Sequence, residues 1–331
     1  MMNVKDVLRR NVPLSALLAW RRLKARDLVD GWARRDCFAE VPVDLRKIRL
    51  FRRESFPESG PVPWLDRDGA LERIAEKLAA GEIADVEAAL CRRWSRDGYV
   101  LLEGFFDPDF VDGTWAAVEE AVASGKLPVP FEAMTEDEPY EGRFQDLHQR
   151  VPEVGEILRH PGILDLIRLL FGREVHPFQT IAFFAGSQQP EHSDAAHMTT
   201  YPQGYLVGTW AAMEDIHPDS GPLVYYPGSH RLPYYSAGDV GIEPRESVLD
   251  FYGAYSGKYE PFIQEVIRRQ GCEPVVFTPR KGDVLVWHAN LLHGGTARRH
   301  PTRSRKSVVC HYFARGAICY HDISAGLARL D

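Results

Sequence analysis

Two short stretches about a hundred residues apart carry side chains that could bind a redox-active metal. Glu191-His192-Ser193-Asp194 follows the apolar run Ile181-Ala182-Phe183-Phe184. Trp287-His288-Ala289-Asn290-Leu291-Leu292-His293-Gly294-Gly295 is followed by Arg305-Lys306-Ser307. His192, Asp194 and His293 would make a two-histidine, one-carboxylate face, which leaves positions open on non-heme Fe(II) for a cosubstrate and dioxygen. Arg305, 12 residues past His293, would then grip the far carboxylate of 2-oxoglutarate in bidentate fashion. The segment from Arg305 to Phe313 alternates like a strand, so Ser307 shares a face with Arg305 and adds a hydroxyl to the same carboxylate site.

Each of these residues has a plainer reading. The chain has 12 histidines, and a second His-x-Asp occurs at His217-Pro218-Asp219. That copy sits among turn formers, Asp215 to Pro222, between two strand-like runs, and reads as a decoy. His288 and His293 both lie near the buried strand Val284-Leu285-Val286-Trp287, so either could be the distal ligand. His293 is preferred because the two glycines after it let a cosubstrate approach the backbone. Arg305 has Arg298, Arg299, Arg303 and Lys306 for neighbours, and such clusters usually face water.

From about Glu87 onward the chain resembles the phytanoyl-CoA dioxygenase family of Fe(II)- and 2-oxoglutarate-dependent oxygenases. The resemblance rests on three segments in order: Trp94 to Leu102 with Gly104-Phe105-Phe106; Gly208-Thr209-Trp210 to Ile216 with Asp219-Ser220-Gly221 and Pro227-Gly228-Ser229-His230; and His293-Gly294-Gly295 with Arg305 and Ser307. It implies that His192, Asp194 and His293 bind Fe(II) and that Arg305 and Ser307 hold 2-oxoglutarate. It also implies roles near the cosubstrate for Trp210 and Gln179, with O2 as the second cosubstrate. Related halogenases replace the acidic ligand by a small residue, whereas Asp194 is intact, so halogenation is not expected.

The elements that must position these residues are legible in outline. Helical patterns occupy Leu71 to Leu78 and on toward Trp94, Phe110 to Ala123, and Val154 to Leu170, with Asp107-Pro108-Asp109 as a cap. Past Val175 short strands dominate. That order suits a mainly β fold with flanking helices, which the resemblance specifies as a double-stranded β-helix, or jelly roll. We divide the chain into a basic helical extension and connector, 1–70, and an oxygenase domain, 71–331. An insertion from Pro244 to Gly271, with Tyr252, Tyr255, Tyr259 and Phe262, reads equally as a lid and as a packed helix.

Composition sets further limits. At 331 residues and 44% hydrophobic, the chain can bury one large core plus an extension. A net charge of −7 argues against a nucleic-acid partner. Five cysteines without paired spacing suggest a reduced, cytoplasmic setting. No apolar run is long enough for a membrane span. The N-terminal segment, with Arg9-Arg10 and Arg21-Arg22-Leu23-Lys24, reads either as a peripheral contact for anionic lipid or as a helix docked on the core.

The expected chemistry is oxidation of an unactivated C–H bond, by hydroxylation or oxidative ring formation. Tyr201, Gln203, Tyr205, Tyr225 and Tyr226 suggest a polar, sugar-containing or specialised bacterial metabolite as the small-molecule substrate. The competing readings are a hydroxylase of a lipid or acyl thioester, and a metal-binding jelly-roll protein without catalysis.

Overall fold

The computed structural model describes residues 12–35, 43–127, 143–300 and 302–328. Arg9, Arg10 and Cys37 lie outside the described residues. The strands are β1 (Tyr99–Leu102), β2 (Arg143–Gln145), β3 (Val175–Phe183), β4 (Thr199–Tyr201), β5 (Leu206–Ala212), β6 (Leu223–Tyr225), β7 (Val275–Phe277), β8 (Val284–His288), β9 (His293–Gly295), β10 (Ser307–Ala314), β11 (Ile318–His321) and β12 (Gly326–Leu327). They form a six-stranded sheet, β1-β8-β5-β10-β3-β2, and two three-stranded sheets, β7-β6-β9 and β12-β11-β4. All the pairings are antiparallel.

The large sheet is covered on both faces, which is why β5, β8 and β10 are buried along their whole length. Alternation along β10 separates two cores. Val308, Cys310 and Tyr312 pack outward in one apolar cluster with Trp115, Val154 and Ile167 of the helices. Val309 points the other way, into a cluster with Trp210, Leu285 and Trp287 of the large sheet and Leu223, Tyr225 and Phe277 of the β7-β6-β9 sheet. Ser307 and His311 share the parity of Val309, so polar side chains enter that inner space from the same strand.

The helices lie close to where periodicity puts them. Asp107 caps the helix Pro108–Ala123 by accepting the Asp109 N–H at 2.8 Å. The expected helix from Val154 to Leu170 is instead two, Pro152–Leu158 and Pro161–Phe171. Pro161 has no N–H to donate, and His160 before it is extended at ψ 124°. Helices Leu14–Lys24 and Arg26–Ala33 dock on the body. Trp32 is fully buried and its indole N–H donates to Ala328 O at 2.8 Å, while Arg21 donates to Ser324 O. Cys91, Cys272, Cys310 and Cys319 are free thiols. Among the described residues no helix is long and apolar enough to cross a membrane.

Candidate metal centre

His192, Asp194 and His293 are buried together, and one ligand atom from each lies within 4.8 Å of the others. Backbone pairing brings the two histidines together: His192 N–H donates to His293 O at 2.8 Å, and His293 N–H to His192 O at 3.0 Å. Gly294 and Gly295 allow this closeness. A Cβ on Gly294 would lie 2.9 Å from Gln189 O, and one on Gly295 would lie 3.0 Å from Gln188 N. The glycines thus make room for the loop that carries His192, a packing reason the sequence did not show. Ser193, between the ligands, is pinned by its Oγ donating to Ala289 O at 3.0 Å and its N–H to Tyr259 Oη at 3.4 Å.

Second contacts fix which atoms face the centre. His192 Nδ1 donates to Pro190 O, and His293 Nδ1 to Leu291 O, each at 2.9 Å. A carbonyl only accepts, so both Nε2 atoms keep their lone pairs. They lie 3.8 and 3.6 Å from Asp194 Oδ1. The Gln189 amide is 3.2 Å from His192 Nε2 and would give way to a metal. Burial first, then His293, pushes His192 down to about 4. Burial alone would raise the Asp194 carboxyl, but His293, His311 and His192 outweigh it and hold the group well below its ordinary range. A neutral imidazole beside an ionised carboxylate is the state a metal takes.

Asp194 Oδ2 is occupied from the large sheet. Trp287 Nε1 donates to it at 2.8 Å, and His311 Nε2 lies 3.5 Å away. Trp287 and His311 flank Gly208 in the strand register. A Cβ on Gly208 would fall 2.5 Å from the Trp287 indole. A glycine in mid-strand therefore opens the gap through which the Trp287 indole reaches one carboxylate oxygen with His311 close behind it, leaving Oδ1 to the centre.

Arg305 enters the same interior two residues before β10 and is only 2% exposed. Its guanidinium lies over the rings of Phe183 and Trp210, 5.2 and 5.5 Å from their centroids. One N–H reaches Ala185 O at 3.3 Å. Among the described residues no carboxylate lies within ion-pair distance, and burial pulls the group down to about 10, against a weak upward pull from Glu214. Arg305 Nε, Ser307 Oγ and Trp210 Nε1 are all buried without a hydrogen-bond partner. A buried cation beside unpaired donors is unfavourable by several kcal/mol, roughly, unless an anion joins it.

The remaining candidates separate cleanly. Gln179 faces His311 in the β3–β10 register, at the metal end of the interior. His288 stands apart: Nε2 meets Asp66 at 3.2 Å, Nδ1 accepts the Asn290 N–H at 3.0 Å, and the residue lines a separate cavity of about 560 Å³. His217 and Asp219 have half-exposed side chains in a turn. The five residues expected around a substrate mouth are not gathered there. Tyr201 and Tyr205 belong to the helix-side core, Tyr225 to the inner core, and Gln203 lines cavities away from the triad. Tyr226 donates to Glu191 at 3.0 Å. The insertion is helical, with Tyr255 and Tyr259 buried around a π-helical turn and Tyr252 exposed. Trp287 and His311 were not expected as site residues. His311 could have been found, since it continues the parity of Arg305, Ser307 and Val309.

Known proteins point the same way. The family Phytanoyl-CoA dioxygenase (PhyH) matches residues 94–307. An ectoine dioxygenase of Bordetella bronchiseptica is 27% identical over 250 residues, covering 71% of this chain and 79% of its own. Among solved structures, the epimerase SnoN, in complex with Fe3+, alpha ketoglutarate and nogalamycin RO, aligns with a TM-score of 0.55 at 21% identity, over 70% of this chain and 85% of its own. The alpha ketoglutarate dependent carbocyclase SnoK, from nogalamycin biosynthesis, aligns at 0.55 and 16%, over 76% and 96%.

Proposed function

The chain belongs to the phytanoyl-CoA dioxygenase family, and on that premise we propose that it oxidises an unactivated C–H bond of a small, polar metabolite using Fe(II), 2-oxoglutarate and dioxygen. The observation that carries this reading is the buried Arg305, without a carboxylate partner, in the same interior as the three clustered ligands. A protein that only bound a metal would have no use for a buried cation flanked by unpaired donors.

The residues present fit both groups. His192 and His293 would hold iron through Nε2 and Asp194 through Oδ1, the atoms their second contacts leave toward the centre. Arg305 would pair with the far carboxylate of 2-oxoglutarate, with Ser307 Oγ and Trp210 Nε1 as further donors and Gln179 nearer the metal end. Bound iron with 2-oxoglutarate and dioxygen supplies an oxidising power that no side chain has. The protein's own part is placement. Trp287 holds Asp194 to one orientation through its indole N–H, and Tyr259 fixes the loop between the two ligands of the 192–194 segment. Ile181, Leu223, Leu285 and Val309 line the inner space with apolar surface.

We read the two facing sheets as a double-stranded β-helix, with residues 1–70 as a basic helical extension and connector and 71–331 as the oxygenase domain. Hydroxylation is the default outcome, and ring formation would use the same residues. The test is incubation with Fe(II), 2-oxoglutarate and oxygen across panels of glycosides, other polar metabolites and acyl thioesters. Succinate should form slowly alone and faster, with product in step, when a substrate fits. Acceleration by acyl thioesters alone would replace the substrate class. Absence of succinate from the iron-loaded protein under every condition would end the oxygenase reading.

A further inference from the structure

Beside the three candidate ligands runs a chain of hydrogen bonds whose direction the geometry fixes. The Ser324 amide lies 3.2 Å from His321 Nδ1. An amide nitrogen only donates, so His321 Nδ1 bears a lone pair and its proton sits on Nε2. Burial and then Arg21 hold His321 down to about 4, in keeping with a neutral ring. His321 Nε2 lies 3.4 Å from His197 Nδ1. His197 Nδ1 must therefore accept, which leaves its proton on Nε2.

That last N–H is buried and has no hydrogen-bond partner among the described residues. It lies across the ring from Nδ1 and so points away from His321. The ring itself is held in place. It meets His192 edge to face at 5.9 Å between centroids and packs against Tyr255 at 4.4 Å. Its backbone N–H donates to Asp194 O at 2.9 Å. None of these neighbours belongs to the Arg305, Ser307 and Trp210 group, so the cosubstrate's carboxylate already has other donors. A buried donor kept rigid and unpaired calls for an acceptor supplied from outside.

We propose that His197 Nε2–H donates to an oxygen of the substrate, making His197 a specificity-determining residue for molecules with a hydroxyl, ether or carbonyl oxygen near the oxidised C–H bond. The proposal rests on the oxygenase reading and narrows its substrate class. A plain hydrocarbon surface presented to this position would leave the N–H unpaired, and sites built to hydrogen-bond reject such analogues strongly.

The test uses full-length protein labelled with 15N-histidine and loaded with Zn(II) and 2-oxoglutarate, which cannot turn over. His197 is assigned by loss of its signals in His197→Gln. Without a probe, its Nε2 should be protonated and its Nδ1 not. Methyl glycosides, cyclic ketones and a short acyl thioester are then added separately, with methylcyclohexane as the oxygen-free control. At least one oxygenated class should move the Nε2–H resonance, and the hydrocarbon should not. His197→Phe should weaken binding of that class by about tenfold, the worth of one hydrogen bond, with zinc and 2-oxoglutarate affinity unchanged. His197→Gln, which keeps an N–H near the same place, should recover most of it. A proton on Nδ1, a resonance that no oxygenated probe moves, one that 2-oxoglutarate alone moves, or a His197→Phe protein that loses zinc would each overturn the proposal. Wild-type protein that binds neither zinc nor 2-oxoglutarate would instead defeat the oxygenase reading, and this inference with it.

Discussion

The two ends of the inner space are built on opposite principles. At the metal end every candidate ligand has its spare atom committed: His192 to Pro190 O, His293 to Leu291 O, and Asp194 to Trp287 Nε1. At the other end Arg305 Nε, Ser307 Oγ and Trp210 Nε1 are buried with nothing to bond. One region is ordered before anything binds, and the other is kept strained by desolvation until an anion arrives. The difference teaches which groups each end awaits: a cation that needs only lone pairs, and a carboxylate that brings its own acceptors.

The largest expected effect breaks the ordered end. Asp194→Ala or His293→Ala should weaken Fe(II) binding by about a hundredfold or more, since each removes one of three protein ligands. His288→Ala should leave it within about twofold. Equilibrium dialysis under anaerobic conditions reads both, and iron loss in His288→Ala would show that the wrong histidine had been chosen. Arg305 breaks the other end. Arg305→Ala should raise the 2-oxoglutarate requirement about a hundredfold or more, from the roughly 3–5 kcal/mol lost with one partner of a buried pair. Iron affinity should not change. The contrast sharpens in the ligand-free protein, where Arg305→Met should raise the melting temperature because an unpaired buried cation has gone. A drop would mean that Arg305 is structural.

Smaller effects probe the supports. Trp287→Phe keeps an aromatic ring and loses the N–H, and should cost about tenfold in iron affinity, as second contacts to a metal ligand do. Gly208→Ala should act in the same direction, because its Cβ would fall 2.5 Å from the Trp287 indole. Iron affinity unaltered in both would remove the carboxylate-holding role. Ser307→Ala should be mildest, about 1 kcal/mol or some fivefold in 2-oxoglutarate affinity. A loss as large as that of Arg305→Ala would make the hydroxyl an equal partner.

How much of this was legible in the chain follows from the range of each interaction. His192, Asp194, His293, Arg305 and Ser307 stand in short local patterns, and the parity of β10 puts Ser307, Val309 and His311 on one face. Helix extents were readable except where Pro161 divides one pattern in two and where the pattern from Leu71 toward Trp94 is broken between Ala79 and Asp85. Trp287 and Gly208 were not legible as a pair, because they meet only through the register of β5 with β8. The same holds for His197 and His321, which lie 124 positions apart and meet through β11 and β4. The tyrosines misled for the converse reason. Aromatic residues on and beside strands are ordinary core material, and here Tyr201 at the end of β4 and Tyr205 just before β5 are used as such.

The central claim is that one molecule bridges the ordered end and the strained end. It is tested most directly by calorimetric titration of 2-oxoglutarate, without oxygen, into wild-type protein with and without Fe(II). The account predicts strong binding with iron, much weaker binding without it, and loss of the iron-assisted binding in both Asp194→Ala and Arg305→Ala. Equal affinity with and without iron, or iron-assisted binding that survives in Arg305→Ala, would contradict it.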